Sequence, residues 1–391
     1  MKNEEFLSTS QLRCDPKKVN KMKKPIVYIL CMLNILTACN NIVDLDNYTS
    51  PHDIPNTGAP VIKAVYAVAD INQQTPLTEA EMGQTLCIVG ENLNRLQSLK
   101  FNTVETDLNQ TYTQSTKAVV TVPDTYSKNH ENVIEYTTDM GSVKYSFYIA
   151  LPAAEVGGLL NEFAEPGTNV AVNGENLEYY DFTLTLGDKE LPLSVEGNTL
   201  SFNIPQGTPD NSVFVISWIN YKGETETANM PFRPTDSMLF DDISEAEQEM
   251  TDRNVSTEMS DLGTQCLHFS GTIAEYAWVE LSFEQPLEET INAENADQYY
   301  FVFEVQTATG YPLLDTGYEF AFNWDWDNSY PWNPGALDTN GNWQTVRCPL
   351  ESMAPNGLTA VNGNMTLNVG FQPYQEYHAD FRLANFRIVK K

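Results

Sequence analysis

Two stretches of this chain restate each other. Gly83-Gln84-Thr85-Leu86-Cys87-Ile88-Val89-Gly90-Glu91-Asn92-Leu93 returns 84 positions later as Gly167-Thr168-Asn169-Val170-Ala171-Val172-Asn173-Gly174-Glu175-Asn176-Leu177. Val120-Thr121-Val122-Pro123 is answered by Phe202-Asn203-Ile204-Pro205, and the turn at Asp139-Met140-Gly141 by Tyr221-Lys222-Gly223, both 82 positions on. Three matches in register define a tandem pair of modules rather than one continuous fold. Alternation at Val143/Tyr145/Phe147/Ile149 and at Phe214/Ile216/Trp218 predicts strands that bury one face, set between Gly, Asn and Pro turns. The copies at 58–151 and 152–233 have the size and strand pattern of immunoglobulin-like sandwiches. Proline-bearing joints at Leu151-Pro152 and Met230 to Pro234 limit bending and make the pair a semi-rigid spacer.

The N-terminus indicates where the chain works. Met22-Lys23-Lys24 opens a basic segment, Ile26 to Leu36 is apolar but short for a membrane span, and Leu36-Thr37-Ala38-Cys39 ends it. Residues 1–38 therefore read as a signal peptide, with Met22 a candidate true start. The small residues before Cys39 resemble a bacterial lipobox, which implies acylation of Cys39 and a lipid anchor. Residues 39–57, polar and turn-rich, read as a tether. Asp44 and Asp46 resemble a surface-export signal of lipoproteins in glycan-degrading Gram-negative bacteria.

Charge and cysteine content exclude several classes. The whole chain carries 22 Lys and Arg against 53 Asp and Glu, and the leader holds seven of the bases, so the mature part is more acidic still. Such a surface repels nucleic acid, anionic lipid and sulfated polymers but not neutral ligands. His52, His130, His268 and His378 show no metal-ligand spacing. Cys87, Cys266 and Cys348 are read as small buried thiols, although Cys266 and Cys348 both flank strands of the last domain and a bridge between them stays open. With no Gly-x-Ser-x-Gly, His-Glu-x-x-His or phosphate-binding glycine loop, neither cofactor nor metal is expected.

Residues 234–391 differ from the repeats. Strand patterns at 265–270, 275–283, 299–306, 317–325, 343–348 and 365–371, and a closing Phe381 to Val389 run, predict a jelly-roll sandwich. Ser244 to Met250 is the one short polar helix expected. Half of the six tryptophans fall in Trp324-Asp325-Trp326-Asp327-Asn328-Ser329-Tyr330-Pro331-Trp332. Flat rings beside carboxylates and amides suit a sugar, whose C–H patches stack while its hydroxyls hydrogen-bond. Tyr276 and Trp278, at i and i+2, are expected to share a strand face and extend the platform. The expected glycan-binding residues are Tyr276, Trp278, Trp324, Asp325, Trp326, Asp327, Tyr330 and Trp332, with Trp324 the one closest to a core assignment. Tyr179-Tyr180 offers a second place for stacking, against which turn packing is the simpler reading.

The repeated Gly-x6-Gly-Glu-Asn-Leu resembles the IPT/TIG family, in which the first glycine precedes a strand and Gly-Glu-Asn-Leu turns out of it. Lipobox, tandem repeats and an aromatic-rich last sandwich together resemble surface glycan-binding lipoproteins of the SGBP-B type, from starch-utilisation-like systems. The resemblance implies an outer-membrane lipoprotein facing outward, with no catalysis. It further implies capture of a neutral polysaccharide such as a β-glucan, xyloglucan or mannan. The implied partners are a SusC/SusD-like transporter and surface glycanases. That family's third platform aromatic, near the domain start, has no counterpart between Asp241 and Asp261. Two other classes compete. One is an adhesin or structural Ig-like lipoprotein that binds a protein. The other is a glycoside hydrolase, for which paired carboxylates are required but for which the fifty acidic residues beyond residue 38 supply accidental pairs.

Overall fold

The computed structural model describes residues 54–240, 243, 247–248, 254–287 and 290–391. The leader, Cys39 and nearly all of the 39–57 tether lie outside them.

Each repeat is a sandwich of two antiparallel sheets. In the first, Val61–Ala67, Thr85–Glu91, Lys117–Thr121 and Tyr112–Thr113 face Val104–Glu105, Leu96–Phe101, Val133–Thr138 and Gly141–Ser146. In the second, Glu155–Leu159, Asn169–Glu175, Thr199–Asn203 and Ser194–Glu196 face Lys189–Leu191, Phe182–Leu186, Ser212–Ile219 and Thr225–Phe232. Phe214, Ile216 and Trp218 all point into the core, as alternation requires. The run through Val143 and Ile149 is not one strand. It breaks at Phe147, beyond which Tyr148–Ala150 pairs in parallel with Glu79–Glu81.

The repeated motif has a geometric cause. Gly83 and Gly167 sit at φ 73° and 91°, and Asn92 and Asn176 at 57° and 58°, so both copies turn left-handed at both ends of the same strand. Between them, a Cβ on Gly90 would lie 1.8 Å from Val61 O, and one on Gly174 2.3 Å from Glu155 O. Only glycine lets the neighbouring strand approach so closely. Asn92 and Asn176 then donate side-chain hydrogen bonds to Ala59 O and Ala153 O, while Leu93 and Leu177 seal the cores.

The third domain stacks two antiparallel sheets. One runs Val255–Met259, Gln265–Ile273, Tyr377–Lys390, Tyr299–Thr307, Trp343–Pro349, with Met238–Phe240 beside the last strand of the chain. The other runs Glu247–Gln248, Val279–Pro286, Asn364–Phe371, Tyr318–Phe322, Tyr330–Trp332. Glu247–Gln248 is thus a strand where a helix was expected, and the rest of that helix lies outside the described residues. Expected strand 317–325 stops at Phe322, because Asn323 and Trp324 both adopt positive φ. Expected strand 275–283 begins only at Val279, since Tyr276 is also left-handed. Pro331 lies inside an edge strand, where a missing N–H costs no ladder bond.

The domains are joined by side chains as well as by the chain itself. Tyr126 packs on Tyr179 at 4.6 Å, Lys128 reaches Tyr180 O and Asp181, and the buried Tyr180 donates to Pro152 O at 2.8 Å. The Tyr179-Tyr180 pair is therefore spent on the first joint. At the second joint, Phe163 packs with Leu262, Cys266, Trp343 and Ala384. Beside this cluster Glu162, Glu304, Arg347 and Arg387 form a charge network. A Cβ on Gly158 would fall 2.4 Å from the Arg347 guanidinium carbon, so that glycine leaves the arginine its path.

Candidate functional site

One row of residues crosses three strands on the outer face of the second sheet of the third domain. Glu280 pairs with Gly370, and Gly370 with Glu319. Inward residues on either side, such as Leu281, Val369 and Phe320, fill the core, so the row faces away from it. Gly370 leaves a hollow in the middle. Two indoles fill it: a Cβ there would meet the Trp278 ring at 2.5 Å and the Trp326 ring at 3.0 Å.

Trp278 and Trp326 meet edge to face, with centroids 5.2 Å apart and planes at 77°. That is the arrangement preferred by aromatic quadrupoles. Trp278 is aimed by the strand that follows it, donating Nε1–H to Glu280 Oε2 at 2.9 Å two residues on. Trp326 opens the short turn Trp326–Asn328, whose far end is tied to the sheet where Ser329 donates to Glu319 Oε2.

The next row on this face holds Ser282, Asn368 and Ala321. Asn368 is fully buried and accepts the Trp324 backbone N–H at 2.9 Å, which stabilises the left-handed turn. Asn323 adds three more ties: its N–H to Thr366 O, its Oδ1 from Thr366 N–H, and its Nδ2 to Thr359 O. The turn holds Trp324 outward with 42% of its surface exposed. Tyr276 is 65% exposed and anchored by its backbone, N–H to Pro373 O and O from Gln372 Nε2. Tyr374, also exposed, donates its hydroxyl to Asp315, and that bond holds its pKa above the ordinary value.

The tryptophan-rich segment therefore divides. Trp324 and Trp326 are on the outer face with Trp278, and Tyr276 stands exposed before it. Trp332 is 7% exposed and packs edge-on to Phe303 at 4.9 Å, so it belongs to the core rather than to a platform. Tyr330 also packs against the core, and burial beside Cys348 pushes its hydroxyl pKa up. Both turn inward because the edge strand Tyr330–Trp332 alternates its side chains about an outward Pro331. Asp325 and Asp327 do not share an extended strand: Asp325 precedes the turn and takes a hydrogen bond from Asn328, while Asp327 lies exposed within it. Trp324, placed nearest the core from the sequence, is among the more exposed rings. Sequence reasoning missed Glu280, Glu319, Asn368, Gly370 and Tyr374. A glycine inside the strand Asn364–Phe371 is the signal that marks a close approach at that point. Among the described residues, no group of His, Cys, Asp or Glu is placed to hold a metal ion. Cys87, Cys266 and Cys348 are free.

Exposed and half-buried indoles, fixed by a carboxylate and an amide on the outer face of a jelly-roll sheet, define a carbohydrate-binding sandwich, here carried on two Ig-like modules. Residues 219–390 match the family model described as surface glycan-binding protein B xyloglucan binding domain. That match covers the third domain and the end of the second module, and by it this part of the chain is similar to surface glycan-binding proteins of the SGBP-B type. The chain shares its fold with the surface glycan-binding protein PbSGBP-B from Prevotella bryantii, at a TM-score of 0.61 and 18% identity over 86% of this chain and 99% of that one. An SGBP-B from a complex xyloglucan utilization locus in Bacteroides uniformis aligns at a TM-score of 0.42 and 16% identity, over 85% of this chain and 99% of that one. An IPT/TIG domain-containing protein of Bacteroides ovatus is 25% identical over 123 residues, 30% of this chain and 25% of the relative. The match thus spans about a quarter of that relative's length.

Proposed function

We propose that this chain is a non-catalytic, lipid-anchored outer-membrane protein that holds a neutral polysaccharide with a β-glucan backbone, such as xyloglucan, outside the cell. The observation that carries the reading is the Trp278–Trp326 pair seated over Gly370, with Trp324 and Tyr276 presented beside it. Sugar rings stack on these faces, and Glu319 and Asp325 supply acceptors for hydroxyls. Stacking on an aromatic ring is worth on the order of 1–3 kcal/mol for a nucleobase, and a sugar gains no more. Two or three such contacts give roughly micromolar to millimolar binding. Weak single sites suffice for a protein held on a surface beside other binders. A SusC/SusD-like transporter and surface glycanases would take the polymer onward, and Cys39 would carry the lipid.

Affinity electrophoresis of the full chain through gels containing xyloglucan, mixed-linkage β-glucan or mannan tests this. Retardation in the xyloglucan gel, lost in Trp278→Ala and Trp326→Ala, is the expected result. Unchanged migration in all three gels defeats the proposal, and new reducing ends released by the pure protein would make it an enzyme.

A further inference from the structure

The tryptophan turn has a second side. Trp324 and Trp326 face the platform, whereas Asn323, Asp325 and Asn328 line a cleft whose opposite wall is the segment 353–361. The cleft measures about 310 Å³. That is the small end of the roughly 300–1,000 Å³ that ligand pockets occupy, enough for one sugar but not for a length of main chain. Its floor is apolar, formed by the buried Phe322, Met353, Ala354 and Leu358. Its rim is polar and uncharged apart from Asp325: Asn328, Asn356 and Thr359 are all exposed.

The two walls are pinned to one another. Asn323 on the turn donates to Thr359 O on the opposite segment at 2.9 Å. Gly357 adopts φ 78° where a Cβ would strike Ile291 O at 2.4 Å, which fixes the path of the second wall. Asn328 donates to Asp325 Oδ2 at 2.8 Å, so the rim amide and carboxylate are already oriented. A site formed in advance loses little entropy when it is filled.

We infer that this cleft is a branch subsite, taking a single neutral sugar that projects sideways from a glycan main chain lying on Trp324, Trp326 and Trp278. The apolar floor covers the C–H face of the branch, and Asn356, Thr359 and Asp325 exchange hydrogen bonds with its hydroxyls. The inference rests on the platform reading given above and adds selectivity to it: the protein prefers a decorated chain to a bare one with the same backbone.

Isothermal titration of the full chain with a xyloglucan oligosaccharide, and with a cello-oligosaccharide of equal backbone length, tests the inference. The branched ligand should bind roughly three- to tenfold more tightly, the yield of one or two extra hydrogen bonds. Asn356→Ala, and separately the cleft-filling Thr359→Leu, should remove that advantage while leaving affinity for the bare chain unchanged. Equal affinity of the wild-type protein for both ligands, or equal loss for both in each variant, would overturn the branch subsite and leave the platform standing. Failure to bind either ligand would overturn both.

Discussion

Arg387 and Glu162 form an ion pair across the joint between the second and third domains, with both side chains closed to water. Arg387 also grips Glu304 with both terminal nitrogens, at 2.8 and 2.9 Å, and lies over the ring of Phe163. Thr345 bridges the same two domains, donating its hydroxyl to Glu304 and its N–H to Leu160 O while accepting the Glu162 N–H. Two arginines and two glutamates thus neutralise one another in a site that would otherwise exclude charge.

Removing one partner leaves the others stranded. Arg387→Ala should destabilise the chain by about 3–5 kcal/mol, because Glu304 then stays buried without a counter-charge while Glu162 keeps only Arg347. Adding Glu304→Gln should recover part of that loss, because it removes the stranded charge. Guanidinium denaturation of the full chain measures both, and an Arg387→Ala protein as stable as wild type would refute the account.

The tryptophans should separate into two classes. Trp278→Ala and Trp326→Ala are expected to weaken glycan retention about tenfold with the fold intact, each losing a stacking face. Trp332→Ala should cost about 3–5 kcal/mol of stability, since it empties a site among Phe303, Tyr318 and Phe320. Thermal melts run beside affinity gels distinguish the two outcomes.

Gly370→Val probes the hollow directly. Its side chain would enter the space held by the Trp278 and Trp326 rings. The pair should part, so the exciton-coupled tryptophan signal in circular dichroism should shrink and glycan retention should fall. A variant that binds like wild type with an unaltered signal would show that the hollow does not set the platform.

Burial pushes the Cys266 and Cys348 thiols up to about 11. At pH 8 only about one in a thousand would be thiolate, the reactive form. Alkylation followed by peptide mass analysis should leave both unmodified in the native protein and label both in denaturant. A folded-state pKa above the unfolded value also favours the protonated thiol. That stability is therefore intact at neutral pH and drains away as pH rises from about 9 towards 11.

The two Ig-like modules were the most legible part of the sequence, because their constraints are local. Gly90 and Gly174 must admit a neighbouring strand, Asn92 and Asn176 must turn left-handed, and each requirement is written into a single residue type. The two-sheet jelly roll was legible from alternation, and Tyr276, Trp278, Trp324 and Trp326 were legible as outward aromatics. Trp332 and Tyr330 were misplaced because facing depends on phase. Two left-handed residues at Asn323 and Trp324 and an edge-strand proline at Pro331 reset it, and no pattern of hydrophobicity records such a reset. Glu280, Asn368 and Gly370 stayed hidden for a different reason: strand pairing alone brings them beneath the indoles. The Glu162–Arg387 pair was hidden likewise, since its members lie 225 positions apart.

That separation has a consequence for the order in which the molecule is made. Arg387 lies in Tyr377–Lys390, the strand that pairs with Gln265–Ile273, Tyr299–Thr307 and Met238–Phe240 and so closes the first sheet of the last domain. The two Ig-like modules can collapse as they emerge, but Glu162 waits for Arg387 until the strand Tyr377–Lys390 has been made. A chain that stops before Asp380 loses the middle of that sheet and the lock on its second module together. The strand Tyr377–Lys390 therefore ties completion of the third domain to the setting of its joint with the second.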